Sequence, residues 1–216
     1  MDARAVSRRL LAICCAVGVV LGTTEPTPAD EADEPSAAAL MDALMWGQEP
    51  IGGPFELIDH TGALRTDGDY RGKLALIYFG YTHCPDVCPT DLQAMASALD
   101  LLGDAARVVQ PLFVTIDPVR DTPGHLANYV PMFHPRLVGL TGEASAIRRV
   151  ARAYKVYSAR VVLSDPSDYV MDHSAFIYLV DEDGRYLGFF PPGTSPERMA
   201  TIIRPHLNSG LFADTP

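Results

Sequence analysis

The sequence predicts an α/β fold: a central mixed β-sheet flanked by helices, with a β-hairpin added at the N-terminal side. Three observations carry this reading. Residues 73–81 form a continuous apolar run, the pattern of a strand buried on both faces. Directly after it, Leu92, Met95, Leu99 and Leu102 recur at helical spacing, so a buried strand turns into a helix. Downstream, short apolar runs keep alternating with amphipathic segments before a closing hairpin and helix, which is an α/β pattern.

The chain has 216 residues, 48% of them hydrophobic, enough for one sizeable domain with a core. Arg4, Arg8 and Arg9 precede an uncharged run over residues 10–24. Its most apolar part is short for a membrane span, which needs about 20 residues. Residues 1–24 are therefore expected to be a signal peptide or N-terminal membrane anchor that directs the body to the bacterial periplasm, possible cleavage falling after Val20-Leu21-Gly22. Cys14 and Cys15 read as apolar filler; Ile13 is too bulky for a lipid-attachment site. Residues 25–45, acidic and rich in Pro and Ala, read as a flexible tether, and residues 46–216 as the folded domain. The formal net charge of −10 and the lack of a basic patch exclude nucleic acid as a partner; Arg148, Arg149 and Arg152 lie on a helix as its solvated face.

The elements follow in order. A short helix is expected over residues 40–46, where Met41 and Met45 are sulfur donors in type but read as packing residues. Phe55, Leu57 and the His60-Thr61-Gly62 turn predict the added hairpin. After the strand at 73–81 and the helix to Leu102, residues 108–116 form the next strand, with Pro111 near its exposed end. Asp121-Thr122-Pro123 opens a helix to about Met132, and residues 137–140 form a short strand. Thr141 caps a helix that buries Ile147, Val150, Ala151 and Tyr154. An extended stretch at 157–163, a polar loop at 164–168, strands at 175–180 and 186–190 and a final helix from Pro196 complete the chain. Strand–helix–strand, then helix, hairpin and helix is a thioredoxin-like order.

The chemistry gathers at the first strand-to-helix junction. Cys84 and Cys88 are each followed by proline, which pushes the preceding residue out of the α region. Pro89 suits the first helical position, which makes Cys88 the N-cap, with its sulfur facing free N–H groups that favour thiolate. A disulfide across so short a loop stabilises little, so reactive or metal-binding thiols are the better reading. In a thioredoxin-like fold the loop before the 175–180 strand lies against the cysteine loop, and there this sequence has Asp172-His173-Ser174 in place of a proline. Two thiolates and one imidazole make a soft site that selects Cu(I), zinc or iron–sulfur over magnesium or calcium; a structural zinc site would want four protein ligands and only three converge, which favours copper. The same cysteines can close into a disulfide that expels the metal. Asp172 is a candidate hydrogen-bond partner for the second nitrogen of His173, and Asp86 a candidate for orienting the loop. His83 reads as a solvated loop residue, Asp117 and Asp121 as loop-shaping and capping residues, and His60, His125, His134 and His206 as surface residues.

The segments FGYTHCPDVCP, VTIDPVRDTP and DHSAFIYLVDEDG together resemble the Sco/SenC family, the copper chaperones of cytochrome c oxidase assembly, over residues 51–206. The resemblance implies a thioredoxin-like fold and one copper ion on Cys84, Cys88 and His173. It further implies membrane tethering, and delivery of copper to the binuclear site of oxidase subunit II or reduction of that site's cysteines. A copper donor or thiol reductant on the exported side would be a further partner. The departure from the family is the short anchor. The competing class is an enzyme of the same fold, a thiol–disulfide oxidoreductase or thiol peroxidase; a redox or copper sensor is a third reading. CxxxC and Asp-His-Ser, in place of CxxC and a cis-proline, favour the chaperone.

Overall fold

The computed structural model describes residues 36–46 and 50–207. The expected signal or anchor segment, Cys14, Cys15 and the tether before residue 36 lie outside the described residues.

The apolar run becomes β3 (Leu74–Gly80), buried at all seven positions. It pairs in parallel with β4 (Val109–Thr115) and antiparallel with β8 (Ile177–Val180), which pairs with β9 (Tyr186–Phe190). Two parallel strands joined through a helix, then two antiparallel ones, form a thioredoxin-like core. Beyond β4 the sheet continues through β5 (Val138–Thr141) to the predicted hairpin, β1 (Glu56–Asp59) and β2 (Leu64–Thr66), in the order β2-β1-β5-β4-β3-β8-β9. Asp59 closes the hairpin: one carboxylate oxygen accepts from the N–H groups of Thr61 (2.8 Å) and Ala63 (3.0 Å), the other from Nε of Arg65 (2.7 Å).

Helix α2 (Val87–Leu102) presents Leu92, Met95, Leu99 and Leu102 to the sheet and packs against α5 (Pro196–Ile203). Helix α3 (Pro123–Tyr129) is capped by the Thr122 hydroxyl, which accepts from the His125 N–H at 3.3 Å. A 3-10 turn then reaches Met132. Helix α4 (Ala144–Ala153) buries Ile147, Val150 and Ala151 and exposes Arg148, Arg149 and Arg152, as the pattern predicts.

Four local expectations are corrected. Helix α1 (Ala37–Trp46) begins three residues before Leu40, because the Ser36 hydroxyl accepts from the Ala39 N–H at 3.2 Å and starts it there. Thr141 does not cap α4; it is buried as the last residue of β5, and Glu143 is the N-cap. Pro111 is buried within a central strand. It is tolerated there because β5 joins β4 only from Leu112 onward, so no ladder partner is lost on that side. Finally, residues 158–173 form a separate hairpin, β6 (Ser158–Val162) with β7 (Tyr169–His173), and His173 is the last residue of β7. The sequence reading expected the extended stretch at 157–163, which is β6, but no strand over residues 169–173.

Candidate metal centre

The end of β3 meets the start of α2 at Gly80, and the sulfur of Cys88 uses the space a side chain would fill. A Cβ at Gly80 would lie 2.9 Å from Cys88 Sγ and 2.8 Å from the Tyr78 ring. From Gly80 the chain loops through Thr82, His83 and Cys84 into α2. The helix begins at Val87 with Asp86 as N-cap, so Cys88 lies inside the first turn, which corrects the expected N-cap. Pro89 fits at the third helical position because the first four N–H groups of a helix have no intrahelical acceptor.

This shift of frame reverses the expected roles of the thiols. The Cys88 N–H donates to Cys84 Sγ at 3.4 Å, so the free donors of the helix start serve Cys84. The Cys84 thiol is pushed down to about 3, first by the hydrogen bond it receives from the Cys88 thiol, then by His173 and by the N–H groups of Asp86 and Cys88, against the cost of burial. Cys88 is pushed up, by that same hydrogen bond and then by burial. One sulfur is a half-buried thiolate and the other a buried thiol; no disulfide joins them.

His173 completes the group. Its Nε2 lies 3.4 Å from Cys88 Sγ, and the donor atoms of Cys84, Cys88 and His173 all fall within 4.8 Å of one another. The rings of Tyr81 and Tyr78 meet the imidazole edge-on, at centroid distances of 5.9 and 6.5 Å. The second ring nitrogen, Nδ1, faces the carbonyl of Ser174 at 3.3 Å. Asp172 does not supply that contact: it is exposed, and neighbouring residues of a strand point to opposite faces. Asp86 orients the loop through its backbone, since its side chain makes no cap and its N–H serves Cys84.

Residues outside the two motifs hold this geometry. Arg120 stacks over the Tyr169 ring at 3.7 Å, donates to the Tyr169 carbonyl at 3.0 Å and pairs with the buried Asp117. The Tyr169 hydroxyl donates to Asp117 at 3.0 Å. The start of β7 is thus tied to the loop after β4, and His173 follows at the end of the same strand. Asp121, fully buried, accepts from the Thr82 N–H (3.1 Å) and from the hydroxyls of Thr82 and Thr115 (2.6 Å each), tying the cysteine loop to the same β4 loop. Sequence reading gave both aspartates only local roles; a run such as IDPVRD carries no mark of a partner 40 to 50 residues away. His60 and His134 are half-buried structural acceptors, taking N–H bonds from Gly139 (3.2 Å) and Arg136 (3.1 Å), and are not the surface residues expected. Met41 is exposed on α1, which with Leu40 forms one wall of a cleft that His173, Val87 and Tyr157 also line. The Met45 side chain lies outside the described residues.

Residues 45–208 match the family model described as SCO1/SenC. The human mitochondrial Protein SCO1 homolog is 44% identical over 163 residues, 74% of this chain and 54% of that protein. The chain thus spans little more than half the length of that relative. A SCO2-like protein of Rickettsia conorii is 44% identical over 155 residues, covering 71% of this chain and 76% of that protein. Among solved structures, ScoI of Bradyrhizobium japonicum with copper bound is 45% identical, with a TM-score of 0.68, covering 72% of this chain and 99% of that one. A match across more than half of the chain, agreeing with the fold and with the cysteine loop at the end of its first parallel strand, shows that the chain belongs to the SCO1/SenC family.

Proposed function

We propose that this chain is a copper-binding protein of cytochrome c oxidase assembly that carries one copper ion on Cys84, Cys88 and His173. Copper is its cargo. The acceptor is the binuclear copper site of oxidase subunit II, which receives the ion or has its cysteines reduced by the Cys84–Cys88 dithiol. The carrying observation is the convergence of two sulfurs and one imidazole nitrogen within 4.8 Å on the partly exposed rim of the sheet. Three donors of this softness suit Cu(I), and the imidazole also suits Cu(II). Three protein ligands, with no fourth beside them among the described residues, leave the ion open to exchange, whereas a structural zinc site is closed by four. Copper bound to the Bradyrhizobium relative supports the choice of metal.

The exported location rests on Arg4, Arg8, Arg9 and the apolar run after them, with a bacterial periplasm as the compartment. No helix among the described residues is long and apolar enough to cross a membrane.

The second reading is a thiol–disulfide oxidoreductase. It is favoured by one observation, the split between a thiolate at Cys84 and a protonated, buried Cys88. That is the arrangement an exchange reaction uses: one sulfur attacks, the other resolves.

The test is Cu(I) titration of the full chain, reduced and with Cys84–Cys88 oxidised. The reduced chain should bind one equivalent and the oxidised chain none tightly, because the disulfide consumes both sulfur donors. Equal affinity in the two forms overturns the assignment.

A further inference from the structure

The structure holds a second cluster of donors that the thiol chemistry does not use. His83, Asp121 and His125 come from the cysteine loop, the β4 loop and the first turn of α3, and their donor atoms lie within 4.8 Å of one another. His83 Nδ1 is 3.9 Å from Asp121 Oδ1. The two imidazoles are stacked, with centroids 5.5 Å apart and planes 17° apart. Both are exposed and reach solvent, while the carboxylate beneath them is fully buried.

The Thr82 hydroxyl sits at the centre of this triangle. It lies 3.0 Å from His83 Nδ1, 2.9 Å from His125 Nε2 and 2.6 Å from Asp121 Oδ1. One small oxygen within reach of all three marks the point on which the donors converge. Oδ1 has a second lone pair beyond the one the hydroxyl uses. The other carboxylate oxygen is committed to the Thr82 N–H and the Thr115 hydroxyl, which fix the carboxylate in place. None of these partners is cationic. A buried carboxylate whose partners are hydroxyls and an amide, under two exposed imidazoles, is an incomplete charge arrangement that a cation completes.

From this geometry we infer a second metal site: His83, Asp121 and His125 bind a divalent first-row cation, Cu(II) or Zn(II), which takes the place of the Thr82 hydroxyl at Asp121 Oδ1. Two nitrogens and one carboxylate oxygen without sulfur select a borderline divalent ion over Cu(I), so this site and the thiol site differ in the oxidation state they prefer. The remaining coordination positions face solvent. The inference does not depend on what Cys84, Cys88 and His173 carry.

The experiment uses the full chain with Cys84→Ala and Cys88→Ala, titrated with Zn²⁺ alone and with Cu²⁺ alone by competition against a chelator of known affinity. One equivalent should bind. Its affinity should fall at least tenfold in both His83→Ala and His125→Ala on that background, and the Cu²⁺ electron paramagnetic resonance signal should lose one nitrogen coupling in each. Repeating the titration on the wild-type chain in its disulfide form removes dependence on the folding of the cysteine variant. No bound equivalent, or a fall of less than tenfold in either histidine variant, overturns the site.

Discussion

Nε2 of His173 lies 3.4 Å from Sγ of Cys88 across 85 residues of sequence, and it contacts the buried sulfur of the pair. Loss of the imidazole would therefore remove the proposed copper ligand on the inner side of the site and leave the half-buried Cys84 in place. His173→Ala should lower Cu(II) affinity by at least a hundredfold and Cu(I) affinity by much less, since two thiolates alone can hold Cu(I) whereas Cu(II) prefers imidazole and more ligands. Paired Cu(I) and Cu(II) competition measurements check this. Thiol exchange should change only modestly, and a variant that loses exchange yet keeps both affinities would make the oxidoreductase the better reading.

The cysteines should react unequally with an alkylating agent. Cys84 is held as thiolate well below the ordinary thiol range, whereas Cys88 is held as thiol and buried. A depressed pKa keeps the reactive anion as pH falls, until the pH approaches the folded-state value of about 3. Alkylation of Cys84 should thus stay near its plateau down to about pH 5, where an ordinary cysteine is already almost wholly protonated. Peptide mass mapping after brief alkylation at several pH values reads this out; equal labelling of the two residues would refute it.

Arg120→Ala should loosen the β6–β7 hairpin. The variant leaves Asp117 buried without its guanidinium and removes one of the two cations stacked on Tyr169, the other being Arg160. Losing one member of such a pair costs about 3 kcal/mol, measurable by urea denaturation. Copper affinity should fall about tenfold through displacement of His173, an effect of the size seen when groups supporting a metal ligand are lost. Unchanged affinity would show that His173 is positioned independently of the hairpin's anchor.

Gly80→Ala tests the close approach of strand and thiol. The added methyl meets Cys88 Sγ at 2.9 Å and the Tyr78 ring at 2.8 Å, both in the packed interior. Overpacking of this kind costs about 1–3 kcal/mol. Copper binding should weaken with it, because Cys88 must move; a variant with wild-type stability and affinity would show that the junction yields freely.

Asp59→Asn addresses acid stability. Burial raises the Asp59 pKa, but the hydrogen bonds from Thr61, Arg65 and Ala63 outweigh it and hold the carboxyl well below its usual 3.8. A carboxylate depressed in the folded state contributes stability that is fully present above the unfolded value. That contribution is lost as pH falls from there through the folded value. The stability gap between wild type and Asp59→Asn should therefore be constant above about pH 5 and narrow in stronger acid. Thermal melts across that range measure it; a gap that widens in acid would contradict the sign.

The α/β class, the hairpin at the N-terminal side and the strand-to-helix junction bearing Cys84 and Cys88 are legible in the amino-acid order alone. Those features are written in local periodicity: an apolar run over β3, helical spacing over α2, and turn residues at His60-Thr61-Gly62. His173 was legible too, through its place before the strand that lies beside the cysteine loop in this fold order. The other features of the site depend on contacts between segments distant in sequence. Proline's effect on its preceding residue suggested Cys88 as the N-cap, but the helix starts at Val87, and the hydrogen bond from the Cys88 thiol, then His173 and the free N–H groups, make Cys84 the thiolate. The anchoring of His173 through Arg120, Asp117 and Tyr169, and the gathering of His83, Asp121 and His125 around Thr82, join loops about 40 to 50 residues apart. Charged and hydroxyl residues in loops have no periodicity, so their partners are chosen by how the sheet brings the loop ends together at one edge.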